Sequence, residues 1–138
     1  MSNRRTFIKT TVLVASGLAV SGAALAKGKG KSPTFPGIIY TRNDQGIWEG
    51  KAGSHAPEVT IKDRKVTVYT NHTMTEEHYI VRHTVVTEKG KVLGSKTFYP
   101  DKDKKAISEY KIPDNISGRL YATSFCNKHD FWLTEFEI

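Results

Sequence analysis

Apolar and polar positions alternate with a period of two through much of this 138-residue chain, most plainly in "VTVYT" at 66–70 and "YIVRHTVV" at 79–86. That rhythm belongs to a half-buried strand, one face on a core and one in water. Short β-rich runs with turn residues between them predict strands at Ile38–Thr41, Glu58–Ile61, Lys65–Asn71, Tyr79–Thr87, Val92–Tyr99, Ala106–Lys111, Arg119–Phe125 and Leu133–Ile138. "DRK" at 63–65 and "EKGK" at 88–91 read as tight turns, and "PDNISG" at 113–118 as a loop. No stretch carries a long amphipathic helical pattern; "HTMTEEH" at 72–78 has room for one turn at most. Seven or eight short strands in about 100 residues predict an all-β, immunoglobulin-like antiparallel β-sandwich.

The first 26 residues break this rhythm. Asn3-Arg4-Arg5-Thr6-Phe7-Ile8-Lys9 looks like a twin-arginine export signal, an apolar stretch rich in small residues follows from Thr11 to Leu25, and Ala24-Leu25-Ala26 has the small-x-small form of a cleavage site. The alternative is a tether, but the apolar stretch falls short of the roughly 20 residues needed to span a bilayer. The expectation is a signal peptide over 1–26, a flexible basic and Pro/Gly linker over 27–37, and one folded domain over 38–138. The expected location is periplasmic, with the twin-arginine translocation machinery as a partner during export. That route carries folded proteins, which suits a metal loaded before export: divalent affinity rises from iron towards copper, so an iron site exposed first to copper or zinc would take the wrong ion.

Charge alters this picture only slightly. Of the net +7, Arg4, Arg5 and Lys9 account for three, leaving +4 on the remainder, part of it in the "KGKGK" tail at 27–31. This gives little support to nucleic-acid binding, and none is expected; a mild positive field suits a small anionic substrate. One cysteine excludes a disulfide scaffold.

The candidate chemistry lies in five histidines and that cysteine. His55 stands in "GSHAPEV" just before a strand, His72 and His78 flank a short loop, and Cys126 and His129 bracket a tight turn in "SFCNKHDFW". Strand ends and loops let several side chains converge on one point. His83 lies inside an alternating strand without a partner motif and reads as structural. Each residue also has an ordinary reading, a hydrogen-bonded histidine or a small apolar thiol.

Taken together and in order, H-A-P, then H-x5-H followed by Tyr-Ile, then C-N-x-H-x-x-W resembles the iron centre of the superoxide reductases, the neelaredoxin and desulfoferrodoxin family, over residues 46–138, with "EEHYI" and "ATSFCNKH" almost word for word. The resemblance implies one mononuclear non-haem iron, His55, His72, His78 and His129 as nitrogen ligands, and Cys126 as an axial thiolate opposite an open position. It implies reduction of superoxide to hydrogen peroxide with electrons from an external donor protein, and a homo-oligomer as the usual assembly. The thiolate pushes electron density towards a bound oxygen species, as cysteine does in haem oxygenases.

The chain departs from the family where members commonly carry Glu-Lys before the first ligand histidine: Gly53 and Ser54 stand there. Lys51 and Glu49 are the nearby charges, and Lys51 is the candidate to attract superoxide. Asp130 replaces a usual glycine, and Arg82 stands where tryptophan is frequent. Two rival readings remain: the same site holding a metal for delivery or electron transfer without turnover, and a sandwich module whose Cys126 carries sulfur covalently.

Overall fold

A computed structural model describes residues 35–138. The expected signal at 1–26 and most of the 27–37 linker lie outside the described residues. Valine and threonine alternate in "KVTVYT" so that Val66, Val68 and Thr70 are fully buried while Lys65, Thr67 and Tyr69 are not, and this half-buried ribbon is one wall of the core. Among the described residues eight strands form: β1 (Ile39–Tyr40), β2 (Glu58–Lys62), β3 (Lys65–Thr70), β4 (Ile80–Thr87), β5 (Val92–Thr97), β6 (Ala106–Lys111), β7 (Arg119–Cys126) and β8 (Asp130–Glu137). They make a five-stranded sheet in the order β1-β8-β7-β4-β5 and a three-stranded sheet in the order β2-β3-β6. The predicted all-β sandwich is the observed fold.

Turn chemistry fixes the register. Asp63 and Arg64 both adopt positive φ, 50° and 62°, which lets a two-residue loop join β2 to β3 with Lys62 opposite Lys65. Gly90 at φ 85° closes the turn into β5. Two features differ from the sequence reading. β1 runs parallel to β8, Ile39 beside Phe131 and Tyr40 beside Trp132, so the sandwich is not wholly antiparallel. And β8 begins at Asp130, not Leu133: Cys126 pairs with Asp130 across a three-residue loop, so the polar "NKH" is the tip of a hairpin that stays paired to its end. Residues 72–78 contain no helical turn; Thr75 and His78 instead exchange backbone hydrogen bonds of 3.1 and 3.2 Å. Besides strands, the described residues hold one 3-10 turn, Gly46–Trp48, and one α-helical turn, α1 (Ala52–His55).

The main core lies between the sheets, where Val66, Val68, Val85, Ile112, Leu120 and Ala122 are fully buried. Nearer one end it becomes polar. His83, Thr70, Ser124 and Ser108 are buried together, with His83 Nε2 2.9 Å from Thr70 Oγ1, His83 Nδ1 2.9 Å from Ser108 Oγ, and Thr70 Oγ1 2.9 Å from Ser124 Oγ. Every polar atom in this knot has a partner, which offsets the cost of burial. The structural role read for His83 is the one it has. Burial, reinforced by the charge of Lys96, pushes its pKa down to about 3.

The depressed value gives a pH dependence with a definite sign. An unfolded chain binds a proton at His83 below about pH 6.5, whereas the folded chain refuses it until about pH 3. The contribution is therefore complete above pH 6.5 and is lost as pH falls through that window, by up to about 1.4 kcal/mol per pH unit. Denaturant unfolding at stepped pH should show His83→Gln with a shallower acid-side slope than the parent, by close to one proton.

Candidate metal centre

All the candidate elements end at the same edge of the sandwich: β3 finishes at Thr70, β4 starts at Ile80, β7 finishes at Cys126, β8 starts at Asp130, and α1 delivers the chain into β2. His55 is the last residue of α1, whose helical turn stops because Ala56, preceding Pro57, is extended (φ −69°, ψ 125°). Gln45 Oε1 accepts hydrogen bonds from the Gly50 and Ala52 amides, both 3.0 Å, and so shapes the loop that enters α1.

These elements bring one ring nitrogen of each of four histidines together. His55 Nε2 is 3.1 Å from His72 Nε2, which is 3.1 Å from His78 Nε2; His78 Nε2 is 3.1 Å from His129 Nδ1, which returns to His55 Nε2 at 3.0 Å. A planar ring with such edges has its centre about 2.2 Å from each corner, close to the roughly 2.0–2.1 Å of imidazole–metal bonds. Cys126 Sγ is 3.7 Å from His72 Nε2 and 3.6 Å from His129 Nδ1, which are opposite corners, and all five donor atoms lie within 4.8 Å of one another. The sulfur therefore sits to one side of the ring, on the plane bisecting that diagonal. The donor set fits a metal ion.

The protonation pattern fits as well. His55 Nδ1–H faces the Lys51 carbonyl at 3.1 Å and the Ser54 hydroxyl at 2.8 Å, and His72 Nδ1–H donates to the Thr73 carbonyl. A proton held on the outer nitrogen leaves the inner one unprotonated, as a ligand must be. Burial, chiefly, holds His55 at about 4, with the His72, His129 and His78 rings adding to the effect. Burial likewise lowers His72, His78 and His129. Burial pushes the Cys126 thiol up, while the Lys128 and His129 amides pull it down by hydrogen bonding to the sulfur; a coordinated cation would deprotonate it outright.

The five donor residues differ in burial. Cys126 is 1% exposed and packs with Ile80, Phe98 and Ala106, Met74 against them. His78 and His129 are only partly buried, and the positive charges of Lys51 and Lys128 are among the causes that lower both. Lys51, at the start of α1, is half-buried; Ser54 is occupied with His55 Nδ1. Arg82 lies away on β4, donating to Ser95 Oγ at 2.9 Å, and His83 stays in the buried knot.

Three supporting residues were not assigned roles from the sequence. Asn127 Oδ1 accepts from the Tyr79 amide and its Nδ2 donates to the Glu77 carbonyl, both 3.0 Å, clamping the segment that carries His78. Trp132 donates Nε1–H to the His129 carbonyl at 2.9 Å while its ring lies 5.7 Å from that of His55. Trp48 meets the His129 ring edge-on at 4.6 Å and donates to Asp130 Oδ2 at 3.1 Å. Asn127 and Trp132 were visible in the C-N-x-H-x-x-W pattern; the partner of Trp48, some 80 residues distant, was not.

A family model for desulfoferrodoxin matches residues 45–135. The chain belongs to the desulfoferrodoxin family. Among solved structures, a variant of the superoxide reductase (neelaredoxin) from Ignicoccus hospitalis is 26% identical, with a TM-score of 0.63, covering 78% of this chain and 98% of its own. The superoxide reductase from Treponema pallidum is 25% identical over 62% of this chain and 69% of its own, with a TM-score of 0.52. The one-iron superoxide reductase from Giardia intestinalis, at 23% identity and a TM-score of 0.56, covers 62% of this chain and 98% of its own and shares the fold. Comparison with curated proteins gives no match. Within this family frame, the ring of four imidazoles and one thiol is the candidate metal centre.

The Asn127 clamp yields a test. Asn127→Ala leaves the Tyr79 amide and Glu77 carbonyl without their side-chain partner and frees the His78 segment. Metal affinity should fall roughly 10- to 100-fold, the usual range when a group orienting a ligand is lost, measured by competition with a chelator while circular dichroism shows the sheet content unchanged.

Proposed function

We propose that the chain is a superoxide reductase, holding one iron between His55, His72, His78, His129 and Cys126 and reducing superoxide to hydrogen peroxide with electrons from an external donor protein. The observation that carries this reading is the asymmetric ring: four converging imidazole nitrogens, a buried thiol to one side of them, and partly buried His78 and His129 rings that feel the charges of Lys51 and Lys128. Iron bound there would supply the single electron that, with two protons, converts superoxide to hydrogen peroxide. The imidazoles suit iron in either oxidation state. Cys126, buried among apolar side chains, keeps its sulfur from water and leaves the opposite side for a small anion. Lys51 and Lys128 bring positive charge to His78 and His129, a field that draws superoxide towards the ring. In this reading Lys51 takes over part of the attraction that the lysine at the Ser54 position provides in the family. The Arg4-Arg5 signal supports folding and metal loading before export to the periplasm.

One observation favours a second reading, a metal carrier or electron-transfer protein without turnover: Gly53 and Ser54 stand where the family commonly has Glu-Lys. Pulse radiolysis of the reduced, iron-loaded protein separates the two. The reductase reading requires second-order consumption of superoxide, one peroxide formed per superoxide and no oxygen released; a chain that leaves superoxide to its spontaneous decay is the carrier. Lys51→Ala should lower that rate roughly two- to threefold at low ionic strength and converge on the parent in high salt, where screening removes steering.

A further inference from the structure

Beneath the sulfur lies the buried knot of His83, Thr70, Ser124 and Ser108, which the proposed reaction does not use. It joins the two sheets. His83 and Ser124 are cross-strand partners on β4 and β7 of the larger sheet, whereas Thr70 and Ser108 come from β3 and β6 of the smaller one. Thr70 Oγ1 stands between His83 Nε2 and Ser124 Oγ, 2.9 Å from each.

The position of these residues in the chain gives the knot its consequence. Thr70 is the last residue of β3, and its carbonyl accepts a hydrogen bond from the His72 amide at 2.8 Å. Ser124 is two residues before Cys126 on β7, and both are buried on the same face of that strand. One hydroxyl thus ties the residue that launches His72 to the strand that carries Cys126, whose sulfur sits 3.7 Å from His72 Nε2. Apolar contacts alone allow sheets to slide, because they have no direction; hydrogen bonds in a dry interior are directional and stronger than in water. The Phe98 ring meets His83 edge-on at 4.8 Å and belongs to the apolar cluster around Cys126, so the knot and the sulfur share one water-free wall.

We infer that the His83–Thr70–Ser124 hydrogen bonds are a positioning device for the metal centre, fixing the separation of His72 and Cys126 and hence the strength of the sulfur–metal bond. This rests on the proposed five-ligand centre. His83, Thr70 and Ser124 are positioning residues and touch neither metal nor substrate. Ser108, bonded to the far nitrogen of His83 on β6, anchors the knot without linking ligand-bearing segments.

The test is cobalt(II) titration of the folded full-length chain, reading the dissociation constant and the thiolate-to-cobalt charge-transfer band, with thermal midpoints measured separately. Thr70→Val is close in volume but removes the hydroxyl; Thr70→Ser keeps it. Thr70→Val and His83→Leu should each weaken cobalt binding about tenfold and shift or diminish the sulfur band. Thr70→Ser should restore both readings to the parent, and Ser108→Ala should lower the thermal midpoint while leaving both unchanged. Parental affinity and band in Thr70→Val, or an equal loss in Thr70→Ser or in Ser108→Ala, overturns the inference. Should Thr70→Val not fold, Ser124→Ala replaces it and has the same expected and contrary results. A parent chain that binds cobalt without a sulfur band overturns the five-ligand reading itself, and the inference with it.

Discussion

Four ring nitrogens must be held 3.0–3.1 Å apart around one point, and the local structure is organised to keep them there. No single element does this. The Lys51 carbonyl, just before α1, sets His55; the loop after β3 sets His72 through Thr73; Asn127 clamps the segment bearing His78; and Trp132 holds the backbone of His129. These anchors involve backbone groups, which are less free to rearrange than pairs of side chains. A metal thus enters a ring already shaped for it, and binding adds to folding stability in place of opposing it.

The same architecture separates two environments a few ångströms apart. On the Cys126 side, Ile80, Phe98 and Ala106 exclude water and raise the cost of any charge that is not paired with a cation. Around His78 and His129, the rings are only partly buried and two lysines contribute positive field. A sandwich produces this contrast without special devices, because strand ends lie at the rim while side chains one or two residues back point into the core. Asp130 illustrates the cost of the tight hairpin between them: it adopts φ 64° where glycine would be unstrained, and its carboxylate receives the Trp48 indole in return.

Much of this was legible in the sequence, for reasons that differ by residue. Val66, Val68 and Val85 announced their strands because period-two burial leaves a direct trace in residue type. His55, His72, His78, Cys126 and His129 were legible as a set because their spacings recur in a known family, although no local rule shows that α1, the β3–β4 connection and the β7–β8 hairpin meet at one rim. The parallel pairing of β1 with β8 and the start of β8 at Asp130 were misread: parallel pairing is long-range, and "NKHD" has a loop's composition even though pairing resumes at its last residue. Thr70, Ser108 and Ser124 carried no signal as a group, since small hydroxyl residues are ordinary in strands and only the stacking of two sheets brings them to His83. The readings of residues 1–26 as an export signal and 27–37 as a linker rest on sequence pattern alone.

The central claim is that one metal is bound by four imidazoles and one thiolate. X-ray absorption at the iron edge of the protein as purified counts those donors directly. The account requires one sulfur scatterer at a length typical of a thiolate bond and four nitrogen scatterers with the multiple-scattering signature of imidazole, the sulfur vanishing in Cys126→Ser. A first shell of nitrogen and oxygen alone in the parent protein would contradict it.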